Sequence, residues 1–210
     1  RGKTMRRILV GVSGASGMPL AQHLLRALYC TANIEVHLII SAGAQAVLAA
    51  ETLPLGPIDT AGASVDSASE TSTLLALTQF AHVVHDSTDI GAGPASGSWQ
   101  HGGMVLCPCS MASLACIATG AGYNLVHRAA DVCLKERRPL VVVARETPLS
   151  SIHLRNMLTL SRAGACIMPP CPAFYGRPQS IADILEHFTG RILDQFGIAH
   201  ALGHRWQEAE

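Results

Sequence analysis

Runs of unbroken apolar residues recur along the chain, with helical stretches between them. RRILVGV, IEVHLIIS, HVVHD, GMVLCPCS, RPLVVVARE and GACIMPP read as strands. MPLAQHLLRALYC carries Leu20, Leu24, Leu25 and Leu28 on one helical face. AGAQAVLAAET, SMASLACIATG, LVHRAADVCLKERR, SSIHLRNMLTLSRAG and SIADILEHFTGRILDQFG read as further helices. The last of them predicts a buried stripe of Ile181, Ile184, Leu185, Phe188 and Ile192. Strands apolar on both faces, alternating with helices, predict an α/β fold with a mostly parallel sheet covered on both sides. Such sheets bind ligands beyond the carboxyl ends of their strands, at the switch point.

Two segments break the rhythm. Residues 53–70 are rich in Gly, Pro, Ser and Ala and read as a surface loop, and residues 91–103 are Gly/Ser-rich around Trp99. One domain over 1–210 is expected, with its core at 6–198 and a C-terminal tail at 199–210. Lys+Arg and Asp+Glu are both 15, so no net field argues for nucleic acid. No window spans a bilayer. Only 14% of residues are charged, so part of the surface is expected to be covered in a homo-oligomer. The 7 cysteines form no metal-spaced pairs and read as small buried thiols in a reducing compartment. The start RGKTMRR holds no apolar signal segment. The cytoplasm is expected, or a mitochondrion if a presequence was removed.

Several motifs could carry chemistry. VGVSGASG closes the first strand and opens the first helix. Gly14 and Gly17 would let the backbone approach an anion, with Ser13 and Ser16 as hydroxyl donors, as in a mononucleotide phosphate cradle; packing alone is the other reading. Ser41 and Ser110 end strands, and each reads either as a ligand contact or as a plain helix cap. Arg128, Asp131 and Lys135 share a helix face, either as solvated ion pairs or with a cation turned inward; Glu136, Arg137 and Arg138 read as solvated surface. Arg191 lies at the edge of the last apolar stripe, where it would either snorkel or meet an anion. Tyr175, between prolines, either packs or caps a phosphate. Glu51 reads as a helix-end surface charge. In RPLVVVARETP an apolar strand runs straight into Arg145 and Glu146, which places a charged pair at the crevice. No HExxH or GxSxG motif occurs, and His153 reads as structural.

Taken together, GVSGASG, MVLCPCSMASLA, RAADVCLKERRPLVVVARETPLSSIHLRNML, AGACIMPPCPAFYGRPQS and GRILDQFGI closely resemble the UbiX-like flavin prenyltransferases, including their Pad-type members. The resemblance runs from about Arg6 to Trp206 and is weakest over 53–85. It implies a flavodoxin-like three-layer α/β/α sandwich and a dodecamer with sites at subunit interfaces. It implies metal-independent transfer of a dimethylallyl group from dimethylallyl phosphate to N5 and C6 of reduced FMN. The product would be prenylated FMN for UbiD-type decarboxylases. By motif, Gly14, Ala15, Ser16, Ser41, Ser110, Met111, Ala112, Ser113 and Arg145 would bind FMN. Arg128, Lys135, Tyr175 and Arg191 would bind the allyl phosphate. Glu51, Ser16, Glu146 and Lys135 would be catalytic: Glu51 as a proton relay with a raised pKa, Glu146 by ordering the basic residues. Trp99 would either shield an allyl cation or pack. The sequence departs from the family at GASGMPLA, where an aromatic is usual, at Ala42, where a lysine is usual, and at Gly176 in FYGRPQ, where a histidine is usual. Two alternatives share the fold: an FMN-dependent Cys decarboxylase, for which His82 or His85 would have to serve, and a non-catalytic FMN-binding partner of a decarboxylase.

Overall fold

The structure, a computed structural model, describes residues 5–51 and 70–206. Strands β1 (Arg6–Val12), β2 (Ile34–Ile40), β3 (Val83–His85), β4 (Met104–Cys109), β5 (Leu140–Ala144) and β6 (Cys166–Ile167) pair in the order β3-β2-β1-β4-β5-β6. Every pairing is parallel. Helices α1 (Met18–Tyr29), α2 (Ala42–Glu51), α3 (Glu70–Thr78) and α7 (Ile181–Asp194) cover one face, and α4 (Met111–Thr119), α5 (Leu125–Lys135) and α6 (Ser151–Arg162) cover the other. This is the expected flavodoxin-like three-layer sandwich.

The strand pleat sends alternate residues to opposite layers. Ile8, Val10 and Val12 join the cluster under α1 and α7, while Leu9 joins the cluster under α4 and α5. Chain order reverses between β1 and β4, so the switch-point crevice opens beyond Val12 and Cys109.

The sequence reading needs three corrections here. Helix α3 was not foreseen, and Glu70 opens that helix rather than closing a loop; positions 53–69 lie outside the described residues. The α7 stripe holds only in part: Ile192 is buried and Leu185 and Phe188 pack against the core, but Ile181 is 70% exposed and Thr189, Gly190 and Leu193 are also deeply buried. The first turn of α7 is exposed, and Ile181, with the core-packed Leu185, lines the crevice pocket. Only Cys107, Cys109 and Cys133 are the small buried thiols expected; Cys30 and Cys171 are exposed. No helix among the described residues is long and apolar enough to cross a membrane.

Candidate active site

A pocket of about 420 Å³ lies at the carboxyl ends of β4 and β5, between the start of α1 and the first half of α7. Leu20, Pro108, Val143 and Leu185 give it apolar walls, and Ser16, Glu51 and Arg145 supply the polar groups. A charged pair therefore follows β5 because the strand ends at this crevice, and Arg145 turns into it. Arg145 donates its backbone N–H to Cys109 O at 3.1 Å, which fixes it beside the end of β4.

Glu51 is no free surface charge. Its Oε2 accepts the N–H groups of Gly17 at 2.7 Å and Met18 at 3.1 Å, at the positive end of α1. Its pKa is displaced in the direction opposite to the rise expected for a proton relay. Burial works to raise it, but hydrogen bonds from Ser16, Gly17 and Met18, with the charge of Arg145, outweigh that and hold the carboxyl below its ordinary range.

The GVSGASG turn is built by close backbone packing and by hydrogen bonds within the chain. A Cβ on Gly14 would stand 2.8 Å from Gly43 O, so glycine here lets this turn pack on the start of α2, which is the packing use of the two readings. Gly17 adopts φ 125°, which suits glycine, and aims its N–H at Glu51. Ser13 is fully buried and is no ligand donor. Its hydroxyl donates to Pro108 O at 3.1 Å and accepts the Ser110 N–H at 2.8 Å, strapping the two lips of the crevice together. Ala15 is buried and Ser16 half-buried.

Ser41 accepts from Ala44 N at 3.3 Å and Ser110 accepts from Ser113 N at 3.2 Å, so both cap helices, α2 and α4. Met111 and Ser113 are buried and Ala112 is exposed.

The remaining candidates lie elsewhere on the chain. Neither cation of α5 faces inward. Arg128 pairs with Asp131 and donates to Ala95 O at 3.2 Å, and Lys135 pairs with Glu136 over Gly97. Arg138 is not solvated surface: it clamps the Gly-rich loop by donating to Trp99 O and Gly97 O. Trp99 packs under the Arg7 guanidinium, 5.0 Å from its ring centroid, and edge-on to His37, away from the pocket. Among the described residues Glu146 pairs with no basic side chain; its Oε1 accepts the Thr147 N–H at 3.0 Å. His153 is structural as expected, completing a capping box with Ser150.

Tyr175 and Arg191 line a second cavity of about 350 Å³ with His187, His204, Arg205 and Trp206. It shares no lining residue with the first. The Tyr175 hydroxyl lies 3.1 Å from His187 Nε2. Burial, then Arg191 and His204, hold His187 below its ordinary pKa, so it is neutral near pH 7. Asp194, which the sequence reading missed, is the hub: it accepts from Arg191 at 2.7 Å and from both His200 and Arg205 at 3.0 Å. The tail after residue 198 is thereby tied back onto α7. Asp194→Asn is expected to free Arg191 and the tail at a cost of about 1–3 kcal/mol. Thermal unfolding checks this, with an expected fall in Tm of roughly 2–10 °C; an unchanged Tm would remove the hub role.

Residues 1–193 match the Flavoprotein family. A probable UbiX-like flavin prenyltransferase of Escherichia coli O157:H7 is 45% identical over 201 residues, covering 96% of this chain and 93% of that protein. The chain belongs to the UbiX-like flavin prenyltransferase family. Among solved structures, AnUbiX (PadA1) in complex with FMN and dimethylallyl pyrophosphate is 43% identical, with a TM-score of 0.84 over 98% of this chain and 99% of that one. A dodecameric FMN-dependent UbiX-like decarboxylase from Escherichia coli O157:H7 is 42% identical, with a TM-score of 0.84 over 96% of this chain and 100% of that one. Within this family member, then, the candidate residues fall on three separate surfaces of one chain: the crevice pocket, the α5 face and the α7 cavity.

Proposed function

We propose that the protein transfers a dimethylallyl group from dimethylallyl phosphate to reduced FMN, at N5 and C6, giving prenylated FMN without a metal. The observation that carries this reading is the crevice pocket holding Glu51, Ser16 and Arg145, in a chain 43% identical to a protein solved with FMN and a dimethylallyl donor. Apolar walls with a few polar groups at a switch point suit a flat ring system bearing a polar chain. Bound reduced FMN supplies the electron-rich nucleophile that takes the allyl group.

The chain's own residues have separable tasks. Arg145, with the Ser110–Ser113 segment, Gly14, Ala15, Ser16 and Ser41, orients the flavin. Breaking the allyl–oxygen bond leaves negative charge on phosphate, and Arg128, Lys135, Arg191 and the Tyr175 hydroxyl stabilise it. Glu146 balances these cations. Glu51 is ionised before the donor binds. A phosphate brought alongside raises its pKa by like-charge repulsion, so the carboxyl takes up a proton and can pass it through Ser16.

The three surfaces form one site only if copies of the chain bring them together. A dodecamer, the assembly of the 42% identical relative, would do so. We read 1–210 as one flavoprotein domain with its core at 6–198, a reducing cytoplasm as its compartment, and a UbiD-type decarboxylase as the recipient of the product. The Cys decarboxylase alternative gains nothing from the histidines: His82 accepts the Val36 N–H at 3.0 Å, and His85 stacks on His37.

The test is anaerobic incubation with reduced FMN and either dimethylallyl phosphate or the pyrophosphate, followed by the mass of the extracted flavin. A flavin heavier by one prenyl unit is expected. Bound FMN returned unmodified with both donors would favour the non-catalytic alternative.

A further inference from the structure

The cavity beside α7 is walled in part by the chain's own tail, and one tail side chain has no task in the scheme above. His204 lines that cavity with Tyr175 and Arg191, its ring centroid 6.4 Å from that of Tyr175. Among the described residues its ring makes no hydrogen bond and no ion pair. A smaller hollow that His204 also lines holds Asp183 and Glu186, but neither carboxylate bonds to it. Asp183 is engaged with the Ser180 hydroxyl and the N–H groups of Gln179 and Ser180.

Close approach seats the tail here. A Cβ on Gly190 would stand 2.8 Å from the His200 ring and 2.9 Å from Leu202 O. Glycine inside a helix is unfavourable by itself, and in α7 it gives the tail room to lie against the helix. Gly203 adopts φ 69°, and a Cβ on it would stand 2.7 Å from His187 Cα, so the chain turns tightly across α7 just before His204. A Cβ on Gly176 would stand 3.1 Å from His204 Cβ, so the loop that carries Tyr175 also leaves space for this ring.

The cavity suits an anion. Its lining sets the guanidinium groups of Arg191 and Arg205 against the single carboxylate of Asp194, which already accepts from Arg191, His200 and Arg205. A phosphate entering it meets Arg191 and the Tyr175 hydroxyl, and then His204. An imidazole offers at least one N–H donor in either protonation state.

We propose that His204 is a further binding residue for the allyl donor: its ring N–H hydrogen-bonds the donor's phosphate, together with Arg191 and Tyr175. This rests on the prenyl-transfer reading given above. Gly203 acts through it, by letting the tail place the ring.

The test is the steady-state rate of flavin prenylation against dimethylallyl phosphate concentration, on the full chain with reduced FMN saturating. His204→Ala is expected to raise the donor KM about ten- to a hundredfold, the range of a hydrogen bond to a charged group. Its kcat and FMN affinity should stay within about twofold of wild type, as for a lost binding contact. His204→Gln, which keeps an N–H donor on a side chain of similar reach, is expected to recover most of that loss. Gly203→Ala strains the left-handed turn and meets the α7 backbone, so it should raise the donor KM at least as much as His204→Ala. The double variant should be no worse than Gly203→Ala alone, because a displaced ring has no contact left to lose. A purely structural histidine would lower Tm and leave the donor KM unchanged. A wild-type donor KM in His204→Ala, no recovery in His204→Gln, or a further loss in the double variant would each overturn the inference. If Gly203→Ala does not fold, the two His204 variants still decide it. A wild-type chain that returns only unmodified FMN would overturn the transfer reading itself, and this inference with it.

Discussion

Glu51→Gln is expected to lower the rate of flavin prenylation about 10²–10⁴-fold, the usual contribution of a placed proton-transfer group. The amide keeps an oxygen for the Gly17 and Met18 N–H groups, so the pocket should hold its shape. What it loses is the charge and the exchangeable proton. The charge also matters to the fold, because a carboxylate at a helix N-terminus stabilises by about 0.3–1 kcal/mol, or somewhat more when partly buried. The sign of the pH dependence follows from the lowered pKa. The folded value lies below the ordinary 4.5, so the stabilisation is complete above that value and is lost as pH falls through the lowered one. The Tm gap between wild type and Glu51→Gln should be widest near pH 7 and close on acidification below about 4.5. Single-turnover prenylation at pH 7 is the primary readout. A variant that prenylates FMN at the wild-type rate would remove Glu51 from the relay.

The second large effect tests where the site is assembled. Arg191→Ala should cost about 10²–10³-fold, the range for losing one group that stabilises transition-state charge. Arg191 and Glu51 line different cavities, with no lining residue in common. If the working site forms between copies, two dead variants can rescue each other. Co-expressing Glu51→Gln with Arg191→Ala should return activity to about a quarter of wild type, the share of sites that draw an intact residue from each neighbour in a random mixed assembly. Either variant alone should stay near background. Background activity in the mixed assembly would mean that both residues serve a site within one chain, against the interface reading.

Much of this was legible in the residues. Apolar runs such as LVVVA could only be strands buried on both faces, because no soluble element leaves five such residues exposed. The strand ends then located Arg145 and Ser110 at the crevice. Helix α3 was hidden because ETSTLLALT follows a low-complexity stretch and presents no clear apolar face. Asp194 was hidden because its partners Arg191, His200 and Arg205 converge only when the tail folds back.

The division has a physical cause. Periodicity and turn chemistry are local, so the amino-acid sequence by itself determined the alternation of strands and helices, the parallel sheet and the neighbourhood of the site. The order β3-β2-β1-β4-β5-β6 depends on how crossovers pack, and only the tertiary structure decided it. The same holds for charge. Glu51 looks like a helix-end carboxylate in sequence, but it lies 34 residues from the Gly17 N–H that it accepts. That contact, with Arg145 nearby, holds the carboxyl ionised, and a proton equilibrium set by through-space neighbours exists only once the chain has folded.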